Sequence, residues 1–256
     1  MSRKQGESAK KGMNGVEEKA RIKFSKVTEG WEPRTSLGRK VKSGEITDID
    51  TVLNDGYKVL EAEVIDMLLP NLSSELMMIG QAKGKFGGGQ RRVFKQTQKK
   101  TAEGNKPHFS TAVVVGNQDG YVGIGYGKSK ETVPAREKAI RKAKLNIFKI
   151  RRGCGSWECG CRTGHSIPYM VTGKVGSVVV RLIPAPKGTG LVAEKEVQKI
   201  LQAAGIRDIW SKSIGQTRTK FNMIMATDAA LRKLTKTKVK PASAERLGLI
   251  EGKIVA

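Results

Sequence analysis

Aromatic side chains and long apolar runs are both scarce in this chain, and each shortage excludes a class of protein. Aromatic residues make up 5% of the 256 residues, so the composition does not indicate a broad aromatic platform for stacked bases. The longest apolar runs are four residues, as in Ala112–Val115, whereas a membrane-spanning helix needs about 20. We therefore expect no membrane span. The N-terminus is charged without a following apolar stretch, so we also expect no secretory signal.

Cysteine is rare as well, with three residues that all lie between positions 154 and 161. An odd number in one short cluster is not the disulfide framework of a small secreted protein. The sequence therefore predicts a reducing compartment, and we expect the cytoplasm or the nucleus.

Acidic residues are few compared with basic ones. The chain has 48 Lys and Arg against 24 Asp and Glu, a net charge of +24 at pH 7. So many like charges repel each other unless a polyanion neutralises them. Nucleic acid is therefore the expected partner, and the plainer alternative is a basic protein without such a partner.

Charge and composition divide the chain into segments. Residues 1–42 carry 12 basic and 5 acidic residues with little apolar periodicity, which predicts a disordered basic arm. Residues 43–70 reverse the sign, with 7 acidic residues and one lysine, and predict an acidic helical segment. The remaining expected segments are a first folded domain at 71–150, a Cys- and Gly-rich connector at 151–165, a second α+β domain at 166–236 and a C-terminal tail at 237–256.

The first folded domain is predicted to contain a three-stranded antiparallel sheet and one helix. Asn-Gln-Asp-Gly at 117–120 is a strong hairpin signal between two apolar runs. A helix should follow, with Ser129 as its N-cap and its end near Ile150. Strands are expected at 91–100, 108–116 and 121–127.

The second domain is predicted from alternating apolar runs and two amphipathic helices. Gly205 suits the position after the end of the first of these helices. Strands are expected at 167–175, 177–185 and 206–215, and helices at 193–205 and 219–234.

The segment GYVGIGYGKS (120–129) has the look of a phosphate-binding loop, but its spacing does not fit. A P-loop needs a glycine five positions before its final glycine, and counted back from Gly127 that position is Val122. A nucleotide-dependent enzyme is therefore disfavoured, and we expect no catalytic residues. Two compatible interpretations remain. In the first, the glycines let the helix approach the sheet closely. In the second, the segment also binds an RNA phosphate at the helix start with Lys128 and Lys130.

Four candidate metal ligands lie in the connector, with the spacing C-x4-C-x-C-x3-H. Zinc takes four nitrogen or sulfur ligands in a tetrahedron, which makes a structural zinc the one expected cofactor. The alternative is a set of reduced thiols beside one polar histidine, and the sequence leaves both open. The candidate ligands are Cys154, Cys159, Cys161 and His165.

Phosphate contacts are predicted over 83–151, a segment that contains 17 basic and 4 acidic residues. Arg91, Lys95 and Lys99 share the parity of one strand face. The candidate RNA-binding residues are Arg91, Arg92, Lys95, Lys99, Lys100, Lys106, Tyr126, Lys128, Lys130, Arg136, Arg151 and Arg152.

Several long segments together resemble one known family. RRVFKQTQKK, FSTAVVVGNQDGYVGIGYGKSKE, AREKAIRKAKLN, VRLIPAPKGTGLV and AGIRDIWSKSIGQT are similar, in this order, to the universal small-subunit ribosomal protein S-five family. The resemblance covers about residues 60–235. RRGCGSWECGC and LIPAPKGTG look like the archaeal and eukaryotic branch. The loop TAEGNKP (101–107) lacks the Lys-Gly-Gly of the bacterial branch, so that loop's contacts do not carry over residue by residue.

The resemblance implies an α+β fold of two domains. The first would be a double-stranded-RNA-binding-like domain, and the second the α+β domain named after this family, with a left-handed crossover. It also implies a structural role in the small ribosomal subunit, in the cytoplasm, near the head–body junction and the side where messenger RNA enters, with an influence on translational accuracy. The implied partners are small-subunit rRNA and the ribosomal proteins S-four and S-eight, with no membrane, small-molecule substrate or second copy of the chain. The alternative is a free double-stranded-RNA-binding or chaperone protein outside the ribosome.

Overall fold

The structure, a computed structural model, describes residues 30–82 and 89–253. Most of the predicted basic arm therefore lies outside the described residues. Contacts divide the chain into two compact units, residues 1–72 and 73–256. Among the described helices, none combines the length and the apolar character that crossing a bilayer would need.

The described part of the first unit contains three short helices. Glu61 connects its segments, because its carboxylate accepts hydrogen bonds from the indole Nε1 of Trp31 at 3.0 Å and from the backbone N of Thr35 at 2.8 Å. Thr35 also caps the first helix by accepting from the backbone N of Gly38. The helices are α1 (Ser36–Lys42), α2 (Ile49–Asn54) and α3 (Ala62–Leu68), of which the last two lie in the predicted acidic helical segment.

The second unit begins with an antiparallel sheet built around one long strand. The three predicted strands are present as β2 (Lys95–Thr101), β3 (Gly104–Gly116) and β4 (Tyr121–Ser129). Two further strands, β1 (Ser73–Met77) and β5 (Ile147–Lys149), extend the sheet. One edge of β3 pairs with β1 and β2 in succession, and the other edge pairs with β4, which in turn pairs with β5.

Helix α4 (Thr132–Leu145) lies on β4 with almost no side chain between the two backbones. Gly123, Gly125 and Gly127 alternate along the strand, so all three face the helix. A Cβ atom built on Gly125 would lie 2.1 Å from the carbonyl oxygen of Ala139. The glycines therefore allow a close helix–strand contact that any larger residue would prevent. The close-approach interpretation of the glycine motif is confirmed.

The predicted bounds of this helix were wrong at both ends. Strand β4 continues through Ser129, and the N-cap is Glu131. The helix ends at Leu145 because Asn146 leaves the helical conformation and donates its side-chain Nδ2 to the carbonyl of Ile124 at 3.1 Å. Ile147 then enters β5 instead of the helix face.

The connector contains the short strand β6 (Arg151–Arg152). A second sheet follows it, built from β7 (Val171–Val175), β8 (Val178–Pro184), β9 (Leu191–Val192) and β10 (Ile209–Ile214), which lie in the order β7-β8-β10-β9. The short strand β9 is parallel to β10, whereas the other pairs are antiparallel. A small-residue contact recurs here, because a Cβ on Gly173 would lie 1.9 Å from the carbonyl of Ala226 in the covering helix. The helices of this part are α5 (Lys195–Ala203) and α6 (Lys220–Lys236), and α6 is the covering helix that contains Ala226.

The predicted tail also has structure. Helix α7 (Pro241–Leu247) precedes β11 (Ile250–Glu251), which pairs with β6 (Arg151–Arg152) in the connector. The C-terminal segment therefore packs on the connector.

One apolar core joins the parts on either side of the connector. It contains Val114 and Ile124 from the first sheet, Ile200 from α5 and Leu231 from α6. The hairpin turn docks on the end of α5, because the backbone N of Gln118 donates to the carbonyl of Ala203 at 3.0 Å. This bond satisfies a carbonyl that a helix end leaves without an intrahelical partner. The α+β fold class is confirmed, while the domain boundaries and the crossover hand stay predictions.

Replacing Gly125 by alanine tests the helix–strand contact. The added Cβ would overlap the backbone of α4, so we expect a loss of about 3 kcal/mol in unfolding free energy and a fall of roughly 6–12 °C in Tm. Thermal unfolding followed by circular dichroism measures both. Gly30→Ala is the matched control because a Cβ there meets nothing within 4 Å. Equal Tm values for the two variants would contradict the contact.

Candidate metal centre and nucleic-acid interface

The four predicted ligands come together. The sulfur atoms of Cys154, Cys159 and Cys161 and a ring nitrogen of His165 all lie within 4.8 Å of one another. The Nε2 atom of His165 is 3.9 Å from the Sγ atom of Cys159. Cys154 and His165 are buried, whereas the other two are partly exposed.

Asp208, which was not among the predicted site residues, orients the histidine. Its Oδ2 atom is 2.8 Å from Nδ1 of His165, and both side chains are buried. A carboxylate oxygen accepts a hydrogen bond, so this contact places the proton on Nδ1 and leaves the Nε2 lone pair facing the cysteines. Metal-binding histidines are commonly held in this way by a carboxylate.

The second oxygen of Asp208 holds a neighbouring loop. Its Oδ1 atom accepts from the backbone N of Gly188 at 3.0 Å and of Gly190 at 2.9 Å. The same carboxylate therefore connects the cysteine cluster to the loop between β8 and β9. These contacts join residues 43, 20 and 18 positions apart, so no local sequence pattern indicates them.

The thiols of the cluster differ strongly in acidity. Burial, with a smaller contribution from the neighbouring thiols Cys161 and Cys159, raises the pKa of Cys154 to about 11. A hydrogen bond with the hydroxyl of Thr163, at 3.1 Å, is the main cause that lowers the pKa of Cys161 to about 6. Thiolates this close repel each other, so ionising all of them requires a nearby cation.

The donor set fits a structural zinc site. Three sulfur atoms and one imidazole nitrogen are a common combination for structural zinc, and together they fill a tetrahedron. The surrounding chain also holds the loop in place, since the backbone N of Cys154 donates to the carbonyl of Leu247 at 2.8 Å. The structure thus contains a Cys3His cluster that could bind a structural metal.

Most of the predicted RNA-binding residues are exposed. Among the described residues, the side chains of Lys95 and Lys99 project from β2 into solvent, while Lys106 forms an exposed ion pair with Glu103. Arg91 precedes the strand, so the expected three-charge face has only two members on β2. The exposed candidates are Arg92, Lys95, Lys99, Lys100, Lys106, Tyr126, Lys128, Lys130 and Arg136.

Three of the predicted RNA-binding arginines have structural contacts instead. Arg152 is 2% exposed, and its Nη2 atom donates to Oδ1 of Asp119 at 2.8 Å and to the carbonyl of Gly252 at 2.9 Å. Burial leaves its guanidinium no edge for a phosphate, so we remove Arg152 from the interface. Arg151 donates to Glu251 and to the carbonyl of Thr237.

Arg91 is half-buried and donates to two backbone carbonyls, those of Gly80 at 3.3 Å and Arg218 at 2.9 Å. Position in the sequence did not distinguish it from the exposed cations. The difference arises from long-range contacts, because Arg218 lies 127 positions away.

A basic depression of about 610 Å³ opens at the start of α4. Lys128, Lys130 and Lys138 line it together with His108, and Glu131 is its one acidic member among the described residues. Lys138 was not among the predicted site residues. It lies here because α4 folds back over β4.

The sequence matches two family models. Residues 90–151 match the model described as "Ribosomal protein S5, N-terminal domain", and residues 173–246 match "Ribosomal protein S5, C-terminal domain".

Curated relatives are similar over most of the chain. The "Small ribosomal subunit protein uS5" of Nanoarchaeum equitans is 50% identical over 227 residues, which are 89% of this chain and 97% of that protein. The protein of the same name from Methanocaldococcus jannaschii is 46% identical over 225 residues, 88% of this chain and 97% of its own length. That of Pyrobaculum islandicum is 48% identical over 202 residues, 79% of this chain and 93% of its own.

The difference in acidity predicts an order of thiol alkylation in the metal-free, reduced chain. At neutral pH iodoacetamide should modify Cys161 first and Cys154 last, because only the thiolate reacts. Thr163→Val removes the bond that lowers the pKa of Cys161 and should slow its alkylation about tenfold. Mass spectrometry of tryptic peptides at successive times gives the rates. Unchanged alkylation of Cys161 in Thr163→Val would contradict the role of the hydroxyl.

Proposed function

The chain belongs to the ribosomal protein S5 family and is a structural constituent of the small ribosomal subunit, and we propose that it binds small-subunit rRNA through the exposed lysines and arginines of residues 92–138. The observation that carries this proposal is the basic depression lined by Lys128, Lys130 and Lys138. Positive side chains in a concavity raise the local electrostatic potential, and this favours binding of the negatively charged phosphate backbone of RNA.

Shape and phosphate contacts would dominate this recognition. Double-stranded RNA is read mainly through its backbone and 2′-hydroxyl groups, because its deep groove does not admit side chains. An exposed sheet edge with Lys95, Lys99 and Lys100 suits such contacts. The role is therefore structural rather than catalytic, and no catalytic cofactor is part of it.

Family membership supports a finer placement in the subunit. The chain would lie near the head–body junction, on the side where messenger RNA enters, beside the proteins S-four and S-eight, and would influence translational accuracy. It would act in the cytoplasm, in the assembled small subunit. A free RNA-binding or chaperone protein would instead sediment away from ribosomal subunits on a sucrose gradient, which separates the two functions.

The Cys3His cluster would hold one structural zinc ion. Cys154, Cys159, Cys161 and His165 would be its ligands, and Asp208 would keep Nε2 of His165 available to it. Zinc would neutralise the thiolates that otherwise repel each other. Since the protein would fill all four positions, the ion would stabilise the connector and would leave no position for a water molecule.

Reversing the charge of the basic depression tests the RNA interface. Lys128→Glu with Lys130→Glu should leave the fold intact because both side chains are exposed. If each lysine contacts a phosphate, the slope of log affinity for small-subunit rRNA against log salt should fall by about 1.8. Filter binding at several salt concentrations measures this slope, and sucrose gradients should show reduced incorporation into subunits.

The matched control is Lys174→Glu with Lys212→Glu, which changes the net charge equally at exposed positions on β7 and β10. An equal loss in both double variants would mean that net charge alone, and not the depression, sets the affinity.

Removing single ligands tests the zinc proposal. The purified reduced protein should contain about one zinc per chain, and Cys159→Ser should lose it. Asp208→Asn should weaken zinc binding roughly 10- to 100-fold because the histidine loses its orienting carboxylate. Elemental analysis and competition with a chromogenic chelator give these values. Glu158→Gln, an exposed change in the same loop, should bind zinc normally. A wild-type protein without zinc would refute the site.

A further inference from the structure

A second basic concavity lies between the start of α6 and the first sheet. It has a volume of about 480 Å³, which is within the range of roughly 300–1,000 Å³ typical of small-ligand pockets. Residues from far-apart segments form its walls, chiefly Arg91, Lys95, Tyr126, Arg218, Lys220 and Phe221. We call this concavity the α6 cleft.

The α6 cleft is strongly positive. Four of its lining residues are cations, and none of the described lining residues is acidic. Lys220 forms an ion pair with Glu194, whose Oε1 atom is 2.9 Å from Nζ of Lys220. The side chains of Lys95 and Arg218 are exposed and form no hydrogen bond or ion pair within the described part of the chain. Two cations are therefore available for an anion.

Arg91 fixes the wall opposite the helix. Two of its five N–H groups donate to the carbonyls of Gly80 and Arg218. The bond to Arg218 ties the segment before α6 to the segment before β2. The shape of the cleft is thereby set before any ligand binds, which reduces the entropy that binding costs.

An aromatic ring faces the same cleft. Tyr126 is 37% exposed although it lies on a strand whose other side chains are mostly buried. Its ring is supported from one side by Phe221, with centroids 5.0 Å apart and planes inclined at 58°. The support holds the tyrosine in one orientation and leaves part of its surface open to solvent.

We propose that the α6 cleft binds an unpaired RNA nucleotide, with its base against Tyr126 and adjacent phosphates at Lys95 and Arg218. The proposal rests on the proposed rRNA-binding function and adds a site to it. Cations alone suit any polyanion, but an exposed aromatic ring beside them is the combination found where single-stranded RNA binds. Bases inside a duplex are stacked on each other and cannot reach such a ring. An acidic peptide would use the cations and gain nothing from the ring.

The test compares probes and variants of the full chain. The probe is a fluorescent oligoadenylate of about eight nucleotides, a length within the range of single-strand sites, and binding is followed by anisotropy. Tyr126→Leu should weaken its binding about 5- to 150-fold, the range for a lost base–aromatic stack. Arg218→Gln should lower the salt slope by about 0.7, the value for one phosphate of a single strand.

Controls separate stacking from folding and from net charge. Tyr126→Phe keeps the ring and should bind like the wild type, and Lys174→Gln removes a charge outside the cleft and should change neither affinity nor slope. Thermal unfolding checks that Tyr126→Leu remains folded despite its contact with Phe221. If Tyr126→Leu does not remain folded, the salt slope of Arg218→Gln and competition by unlabelled oligoadenylate decide whether the α6 cleft binds RNA.

Three results would overturn the proposal. These are unchanged oligoadenylate binding by Tyr126→Leu, equally tight binding of adenosine monophosphate, which would indicate a free-nucleotide site, and equal competition by polyglutamate, which would indicate an acidic protein partner. Each leaves the rRNA function standing if the variant with Lys128→Glu and Lys130→Glu still loses rRNA affinity. Failure of both would refute the proposed function itself.

Discussion

Backbone contact between α4 and β4 determines how the helix packs on the first sheet. Where α4 crosses β4, three glycines face Ala135, Ala139 and Ala143, and all three alanines are fully buried. Because almost no side-chain volume lies in this layer, the helix cannot rotate or shift without backbone overlap. The basic face of α4 is consequently held toward solvent, and the depression at its start has a defined shape.

The opposite face of the same sheet has the reverse character. Val114, Val122 and Ile124 are almost fully buried in a core that α5, α6 and the second sheet complete. With one face closed by α4 and the other by this core, the cations of β2, β4 and α4 remain at the edges and on the outer helix face. The faces of the sheet therefore stabilise the fold, while its edges and the outer face of α4 carry the exposed positive charge.

Buried polar groups organise the connector. Arg152 joins the hairpin turn, through Asp119, to the C-terminal segment, through Gly252. Asp208 joins the cysteine cluster to the loop after β8. A buried charge is tolerated only when it is paired and hydrogen-bonded, so each of these side chains fixes the position of two or more segments. The Cys- and Gly-rich connector is therefore a junction that contacts the hairpin turn, the C-terminal segment and the segment of Asp208.

Local patterns determined much of this protein. The hairpin at 117–120 and the alternation of Val122 and Ile124 with glycines follow from neighbours within about one turn or one strand, where side-chain periodicity acts directly. The four candidate metal ligands were also visible as a group, because Cys154 and His165 bound a segment of only twelve residues. The excess of positive charge likewise determined a polyanionic partner.

The burial of individual side chains was not determined by local patterns. Arg152 and Lys128 are both cations of the same basic region, yet Arg152 is buried between two segments and Lys128 is exposed. That difference depends on partners 33 and 100 positions from Arg152, as the histidine depends on a carboxylate 43 positions away. Such contacts form only when the chain closes on itself, so only the tertiary structure decided which charges hold the fold and which remain exposed to solvent.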